Sequence, residues 1–301
     1  MLDVHGLQLF TAVAEKMSFT RAAEAMLLTQ SAISHQIARM ERELGVSLLN
    51  RDGRSISLTP AGQVLLEQAK PILRALTDLV ATVKTAASPD QGRLRIGASA
   101  TACQYLVPDT LREFRECFPK TSLSITPGDT HAVLDSIVHG TIDLGILIVV
   151  DARTKIQQYP LFEDELGLVV NPLHPIARLP KVRPQDLTDQ RLVLYSRVST
   201  TWRLVERHWS RLRQPMNDPI ELGSIEAIKE LVKLGLGISV LAKWVIGPQL
   251  ADGSLVWRPL PGPRLKRRWV VGTQPNRVLS LAEKTFVELL RQCSPLSGEE
   301  N

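Results

Sequence analysis

The stretch from Ser18 to Gly62, SFTRAAEAMLLTQSAISHQIARMERELGVSLLNRDGRSISLTPAG, leaves few folds open. Its patterns specify two short helices joined by a tight turn and followed by a hairpin. Ser18 can cap the first helix, SFTRAAEAM, in which small Ala22, Ala23 and Ala25 allow another helix to approach closely. A turn at Leu27 to Thr29 follows. Thr29 or Ser31 then opens a second helix where Ile33, Ile37, Met40 and Leu44 recur at helical spacing, and Gly45 ends it. That apolar stripe has to face a core, which leaves Gln30, Ser34, His35, Gln36 and Arg39 on the opposite face. Beyond Gly45, SLLNRDGRSISLT alternates apolar and polar residues about Asp52-Gly53, a hairpin signal, with Arg51 and Arg54 flanking the tip.

Packing alone gives little reason to group donors and acceptors on one helix face. A DNA major groove does. Gln matches an adenine edge in bidentate fashion, Ser and His meet base edges or phosphates, and the N-terminal end of such a helix is the part that enters the groove. Thr20, Arg21 and Ser31 complete the candidate DNA-binding set, and Arg51 and Arg54 are placed to reach phosphates or the adjacent minor groove. The alternative left open by this segment is a three-helix packing unit with a solvated polar face.

Net charge does not decide between them. The first 91 residues hold nine Lys+Arg against nine Asp+Glu, so the +5 of the chain is carried entirely by the remainder. DNA binding therefore rests on the local placement of Arg21, Arg39, Arg51 and Arg54 and on helix N-termini, not on bulk attraction. Other function classes are narrowed by composition. At 301 residues with 44% hydrophobic and 22% charged content, the chain exceeds one ordinary domain and reads as globular. No apolar run reaches membrane-spanning length, and LDVHGLQLF after Met1 lacks the features of a secretion signal, so a cytoplasmic location without a membrane partner is expected. Cys103, Cys117 and Cys293 are few and far apart, which predicts reduced thiols and neither a disulfide framework nor a zinc site.

Leu7 to Glu15 reads as a scaffolding helix beneath the pair, with Leu7, Phe10, Val13 and Ala14 on one face. After the hairpin, Thr59-Pro60 is a cap with proline at the first helical position, and Leu65, Ala69, Ile72, Leu76, Leu79 and Val83 recur in heptad fashion. Such a seam either pairs two chains or docks on its own subunit. Pro71 inside it predicts a kink, and SPDQG, Ser88 to Gly92, a hinge. From Arg93 onward, strands alternate with helices: RLRIGAS, a helix from Tyr105 to Phe118, SLSITPG, a helix from His131 to His139, and IDLGILIV. QQYPLFED and ELGLVVN lead into a second α/β unit with RLVLY, TTWRLVERHWSRLR, PIEL, SIEAIKELVKLG and ISVL, after which RRWVVGT and Leu279 to Gln292 close the chain. This alternation predicts an α/β class with parallel layers.

Ligands in open α/β sheets sit beyond the carboxyl ends of strands, where helix N-termini present amides. That rule selects Ser99, Thr101 and Cys103 after the first strand, Thr130 and His131 after the second, Ser199, Thr200, Thr201 and Arg203 after RLVLYSRV, and Ser224 after IELG. Each hydroxyl can equally be a helix cap. A small polar or anionic metabolite suits the set, with Arg203 and Arg197 as charge partners. Glycine-rich phosphate loops, HExxH, GxSxG and compact carboxylate pairs are missing from the sequence, so neither catalysis nor a cofactor is expected. A pure small-molecule binding protein with a vestigial N-terminal module is the second reading.

In the order SFTRAAEAM, TQSAISHQIARMERELG, LLNRDGR and LTPAG, with Phe10 before them, the first sixty residues resemble the LysR-type transcriptional regulators. His35 stands where that family more often has Arg, and Leu49 where an aromatic is common. The resemblance implies a winged helix-turn-helix over residues 1–59, a linker and dimerisation helix with hinge over 60–91, and an effector domain over 92–301. It also implies that the effector domain comprises two subdomains similar to periplasmic solute-binding proteins, about 92–161 with 266–301 and about 162–265, joined by two crossovers. The partners it implies are double-stranded operator DNA, a small effector bound between the subdomains, a second copy of the chain in a dimer of dimers, and RNA polymerase.

Overall fold

The computed structural model describes residues 2–50, 56–87, 92–149 and 156–295. The chain divides into two compact units, Met1–Ala87 and Ser88–Asn301. In the first, α1 (Val4–Lys16), α2 (Phe19–Met26) and α3 (Gln30–Leu44) precede a two-stranded ribbon of β1 (Leu49–Asn50) and β2 (Ser57–Leu58), and then α4 (Pro60–Ala87). Asp3, Ser18 and Thr29 cap the three short helices, each accepting a backbone N–H that lacks an intrahelical partner. Because Asp3 does so, α1 starts earlier than Leu7. Helix α2 stops where Leu27 turns left-handed at φ 55°, an unusual role for a residue with a branched side chain.

Phe10, Val13, Ala22, Ala23, Ile33, Ile37 and Met40 form the core of this unit, while Ala25 and Leu44 are exposed rather than packed. Glu41, a residue with no obvious task in the sequence, reaches past the end of α3 to accept the N–H groups of Leu48 at 2.8 Å and Leu49 at 3.2 Å. Thr59 ties the other side: its hydroxyl donates to the Ser47 carbonyl at 2.7 Å and accepts the Gly62 N–H at 3.0 Å. Arg51, Arg54 and the hairpin tip lie outside the described residues.

Helix α4 runs unbroken through Pro71 for 28 residues. Its two halves differ. Leu65, Leu66, Ala69 and Leu73 pack on the core of the first unit, whereas Ile72, Leu79 and Val83 stay 50, 58 and 63% exposed. The heptad pattern thus combines both sequence alternatives: docking on the same subunit early in the helix, and an uncovered apolar stripe later.

The second unit begins with β3 (Arg93–Ala98), α5 (Ala100–Tyr105), α6 (Val107–Cys117), β4 (Ser122–Pro127), α7 (Thr130–Val138) and β5 (Leu144–Val149). It continues with β6 (Gln157–Val170), α8 (Pro175–Arg178), β7 (Val193–Leu194), α9 (Thr200–Leu212), β8 (Ile220–Glu221) and α10 (Ile225–Lys233). The chain then forms β9 (Ser239–Ala242), α11 (Gly247–Ala251), β10 (Val256–Pro259), β11 (Leu265–Thr273) and α12 (Leu281–Gln292). The helix expected from Tyr105 to Phe118 is α6, and a further short helix, α5, precedes it. Pro108 has no N–H to extend α5 but fits the first turn of α6, where none is required. Thr101 and Cys103 consequently lie within a helix rather than in the loop after β3.

Strands β4, β3 and β5 are parallel neighbours, and β11 joins β5 antiparallel. The long β6 pairs antiparallel with β11, then with β9 and β10 at its other end. Three apolar clusters result among the described residues, one around Ile96, Phe114, Ile146 and Phe286, one around Leu168, Val205, Trp209 and Val240, and a smaller one that includes Val133 and Ile137 of α7. Among the strands, β6 and β11 contribute to both of the larger clusters: Phe162 and Trp269 pack in the first, Leu166 and Leu265 in the second. A register shift between Trp269 and Val270, opposite Leu161, bends the ribbon within the first of these cores.

Candidate functional site

In the first unit, Gln30, Ser31 and His35 are exposed along the first turn and a half of α3, Ser34 is half-buried beside them, and Ile33 and Ile37 behind them are wholly buried. The turn that leads into the helix is fixed by Thr29, which accepts the Ala32 N–H at 3.2 Å and lies 3.1 Å from the Ser31 hydroxyl. Two of the expected residues are engaged elsewhere. Gln36 donates to Asp3 at the start of α1 at 3.3 Å, and Arg39 bonds Glu43 one turn on at 3.1 Å. Thr20 and Arg21 are exposed in the first turn of α2. Of the α3 residues expected to face DNA, those not engaged by Asp3 or Glu43 lie at its N-terminal end.

In the second unit, the placement of α7 is decided by glycine. Gly97, Gly145 and Gly272 sit side by side in register on β3, β5 and β11. A Cβ on Gly145 would stand 2.6 Å from Ile137 and 2.7 Å from Val133, so the absence of one lets α7 lie directly on the sheet. Its N-terminal end then faces α9. Between them is a cleft of about 270 Å³, lined by Thr130, His131 and Leu134 of α7, by Leu147 to Val149 of β5, and by Thr200, Arg203, Leu204 and Arg207 of α9. Arg203 Nη1 donates to His131 Nε2 at 2.6 Å, and its Nη2 to the Thr200 hydroxyl at 3.3 Å. A guanidinium has donors only, so the imidazole nitrogen it meets carries no proton.

Four of the ten expected ligand residues thus meet in one place: Thr130, His131, Thr200 and Arg203. The others do different work. Ser99, Ser199 and Ser224 cap α5, α9 and α10, accepting the N–H groups of Ala102, Trp202 and Ala227. Asp129 caps α7 likewise, at 2.8 and 3.0 Å from the amides of His131 and Ala132. Thr101 is buried against Tyr195, whose phenol burial pushes up to about 12. Burial also raises the Cys103 thiol above its ordinary range, which disfavours the thiolate. Arg197 is taken by Glu221 and stacks 5.1 Å over Trp202. Arg207, one turn beyond Arg203, is the cleft residue that sequence reasoning missed; its i,i+4 spacing was the available signal.

Thr201 belongs to a buried node that no sequence pattern announces. Asp164 of β6 and Arg267 of β11 face each other in register at the crossing between cores, fully buried. Arg267 Nε donates to Asp164 at 2.8 Å and Nη1 to the Thr201 hydroxyl at 2.9 Å. The indole N–H groups of Trp244 and Trp269 complete the carboxylate at 2.9 and 3.1 Å. A second tie joins α5 to α10, where Gln104 and Tyr105 both donate to Glu226 and the buried Lys229 ammonium lies 2.7 Å from it. Burial opposes ionisation of Glu226, but the bonds from Lys229 and Tyr105 outweigh it and hold that carboxyl below its usual range.

Comparison with known proteins matches residues 4–63 to the family described as "Bacterial regulatory helix-turn-helix protein, lysR family" and residues 87–294 to "LysR substrate binding domain". The chain belongs to the LysR family of transcriptional regulators. Among its LysR relatives, the HTH-type transcriptional activator CmpR of Synechocystis sp. is 32% identical over 287 residues, covering 95% of this chain and 94% of that protein. A probable RuBisCO transcriptional regulator of Nostoc sp. is 31% identical, covering 93% and 85%. Solved LysR-type structures share the fold. A full-length OxyR variant from Pseudomonas aeruginosa aligns with a TM-score of 0.72 at 23% identity, covering 98% of this chain and 96% of that one. Full-length CbnR in complex with its target DNA aligns with a TM-score of 0.65 at 23% identity, covering 97% and 100%. This LysR-type chain is a DNA-binding transcription regulator with an effector-binding domain, in a family of regulators rather than enzymes. Among the described residues, no helix is long and apolar enough to cross a membrane and no cluster of His, Cys, Asp and Glu is placed to hold a metal ion.

Proposed function

We propose that Gln30, Ser31, Ser34 and His35 read base edges of an operator, that Thr20, Arg21, Arg51 and Arg54 anchor the backbone beside it, and that the α7–α9 cleft takes the effector. The observation that carries the DNA reading is the exposure of three polar side chains at the start of α3, directly opposite buried Ile33 and Ile37. Gln36 and Arg39 contribute less, since Asp3 and Glu43 already use them. Footprinting on the DNA upstream of the protein's own gene locates the operator. On that site Gln30→Ala should cost about 1–3 kcal/mol and relax preference at particular base pairs, whereas Arg54→Ala should weaken binding to all sequences and flatten its salt dependence. Equal losses on specific and random DNA for Gln30→Ala would remove it from base reading.

Self-association is proposed through α4. Ile72, Leu79 and Val83 form a stripe that a second copy can cover, and separate pairing of effector domains would give a dimer of dimers acting on half-sites one or more helical turns apart. Leu79→Glu should shift the chain towards monomer in sedimentation and lose cooperative operator binding while the second unit keeps its unfolding transition. A full-strength dimer would place the interface elsewhere. An effector acts by favouring one arrangement of α7 and α9 over another, since only differential affinity moves such an equilibrium. We further propose a cytoplasmic location and RNA polymerase as a partner, a reading supported by the similarity to the transcriptional activator CmpR.

A further inference from the structure

The cleft holds more positive charge than its own residues answer. Arg203 and Arg207 stand one turn apart on the same side of α9, and among the described residues that line the cleft none is a carboxylate. Among the described residues, Arg203 bonds the His131 ring and the Thr200 hydroxyl and no carboxylate. Arg207 has no hydrogen bond or ion pair among the described residues. The nearby Asp129 carboxylate is occupied by two amides of α7. Two forked guanidinium groups that converge on one small space match an acceptor with several anionic oxygens.

We propose that Arg203 and Arg207 together hold a dianionic group, a phosphate monoester or a pair of carboxylates, and that the anion replaces His131 as the acceptor for Arg203. The inference rests on the reading of this cleft as the effector site. An anionic oxygen adds charge–charge attraction and a bidentate fit that an imidazole nitrogen does not offer, so it displaces the imidazole from the guanidinium. The exchange has a structural result. Arg203 is on α9 and His131 on α7, so occupancy of the cleft removes their direct tie and substitutes the ligand for it. The roughly 270 Å³ available is at the small end of ligand sites, which favours a compact metabolite over a nucleotide.

The test is titration calorimetry of the full-length chain with inorganic phosphate, malonate, acetate and benzoate. Phosphate or malonate should bind, acetate and benzoate should not, and whichever dianion is preferred identifies the phosphate or the dicarboxylate source. Arg203→Gln and Arg207→Gln should each weaken dianion binding at least tenfold with no change in thermal unfolding. His131→Phe, which removes the competing acceptor, should tighten it several-fold. A dianion that binds equally well to both glutamine variants is adventitious and overturns the proposal, as does no dianion binding to the wild-type chain. Weaker binding by His131→Phe would make His131 an anion ligand and overturn the exchange. Leu134→Trp, which fills the cleft, separates the two levels. If acetate or benzoate binds and only this variant abolishes it, the cleft stands and the anion class falls; if it leaves binding of every probe unchanged, the cleft reading falls as well.

Discussion

Arg267→Met should destabilise the second unit by about 3–5 kcal/mol, the range for removing one partner of a buried ion pair. Asp164 would then be left fully buried with only the two indole N–H groups of Trp244 and Trp269, and Thr201 would lose its donor. Adding Asp164→Leu should restore much of that loss, because an apolar pair of similar volume escapes the desolvation cost. Urea unfolding followed by tryptophan fluorescence reads both variants, since two of the five tryptophans touch the carboxylate. A loss below about 1 kcal/mol in the single variant would mean that the indoles alone satisfy Asp164.

Gly62→Ala should destabilise the first unit by about 3 kcal/mol, at the upper end of overpacking costs. An added Cβ would stand 2.0 Å from the Leu48 carbonyl oxygen, which is backbone held by Thr59 and unable to swing aside. Either β1 or the first turn of α4 has to move, and Glu41 and Thr59 lose the geometry that fixes the ribbon. Operator binding should fall with it while the unfolding transition of the second unit stays in place. An unchanged first transition by circular dichroism would show that the ribbon yields cheaply.

What the sequence disclosed follows from how far apart the interacting residues lie. The helix-turn-helix was legible because its evidence is local: Ser18 and Thr29 cap within three residues, and Ile33, Ile37 and Met40 repeat along one face. The strand-helix alternation was legible for the same reason, whereas the return of β11 to the first core was implied by the family resemblance and not by the pattern. Position after a strand, by contrast, selected helix caps as readily as ligand groups, which is why Ser99, Ser199 and Ser224 lie outside the cleft that gathers Thr130, His131, Thr200 and Arg203. His131 and Arg203 were both nominated, yet nothing in a one-dimensional pattern joins residues 72 positions apart. The Asp164–Arg267 pair, 103 positions apart, was invisible altogether, because a charge inside an alternating strand reads as an outward-facing residue. Gln36 and Arg39 were nominated by helix face alone, which does not disclose that Asp3 at the cap of α1 and Glu43 one turn on already bond them.

The crossing of β6 and β11 carries a consequence for biosynthesis. All six residues of β5 are buried in the finished protein, and one of that strand's two neighbours is β11. Some 115 residues must leave the ribosome between Val149 and Leu265 before that neighbour exists. At bacterial elongation rates this is on the order of 10 s. During that interval LGILIV is an apolar strand with a bare hydrogen-bonding edge, which is the kind of segment that pairs with a wrong strand on another nascent chain. The DNA-binding unit, complete in its first 87 residues, is free to fold well before then. Aggregation during expression should accordingly respond to chaperone supply and to changes that slow the arrival of β11, even where the finished protein is fully stable.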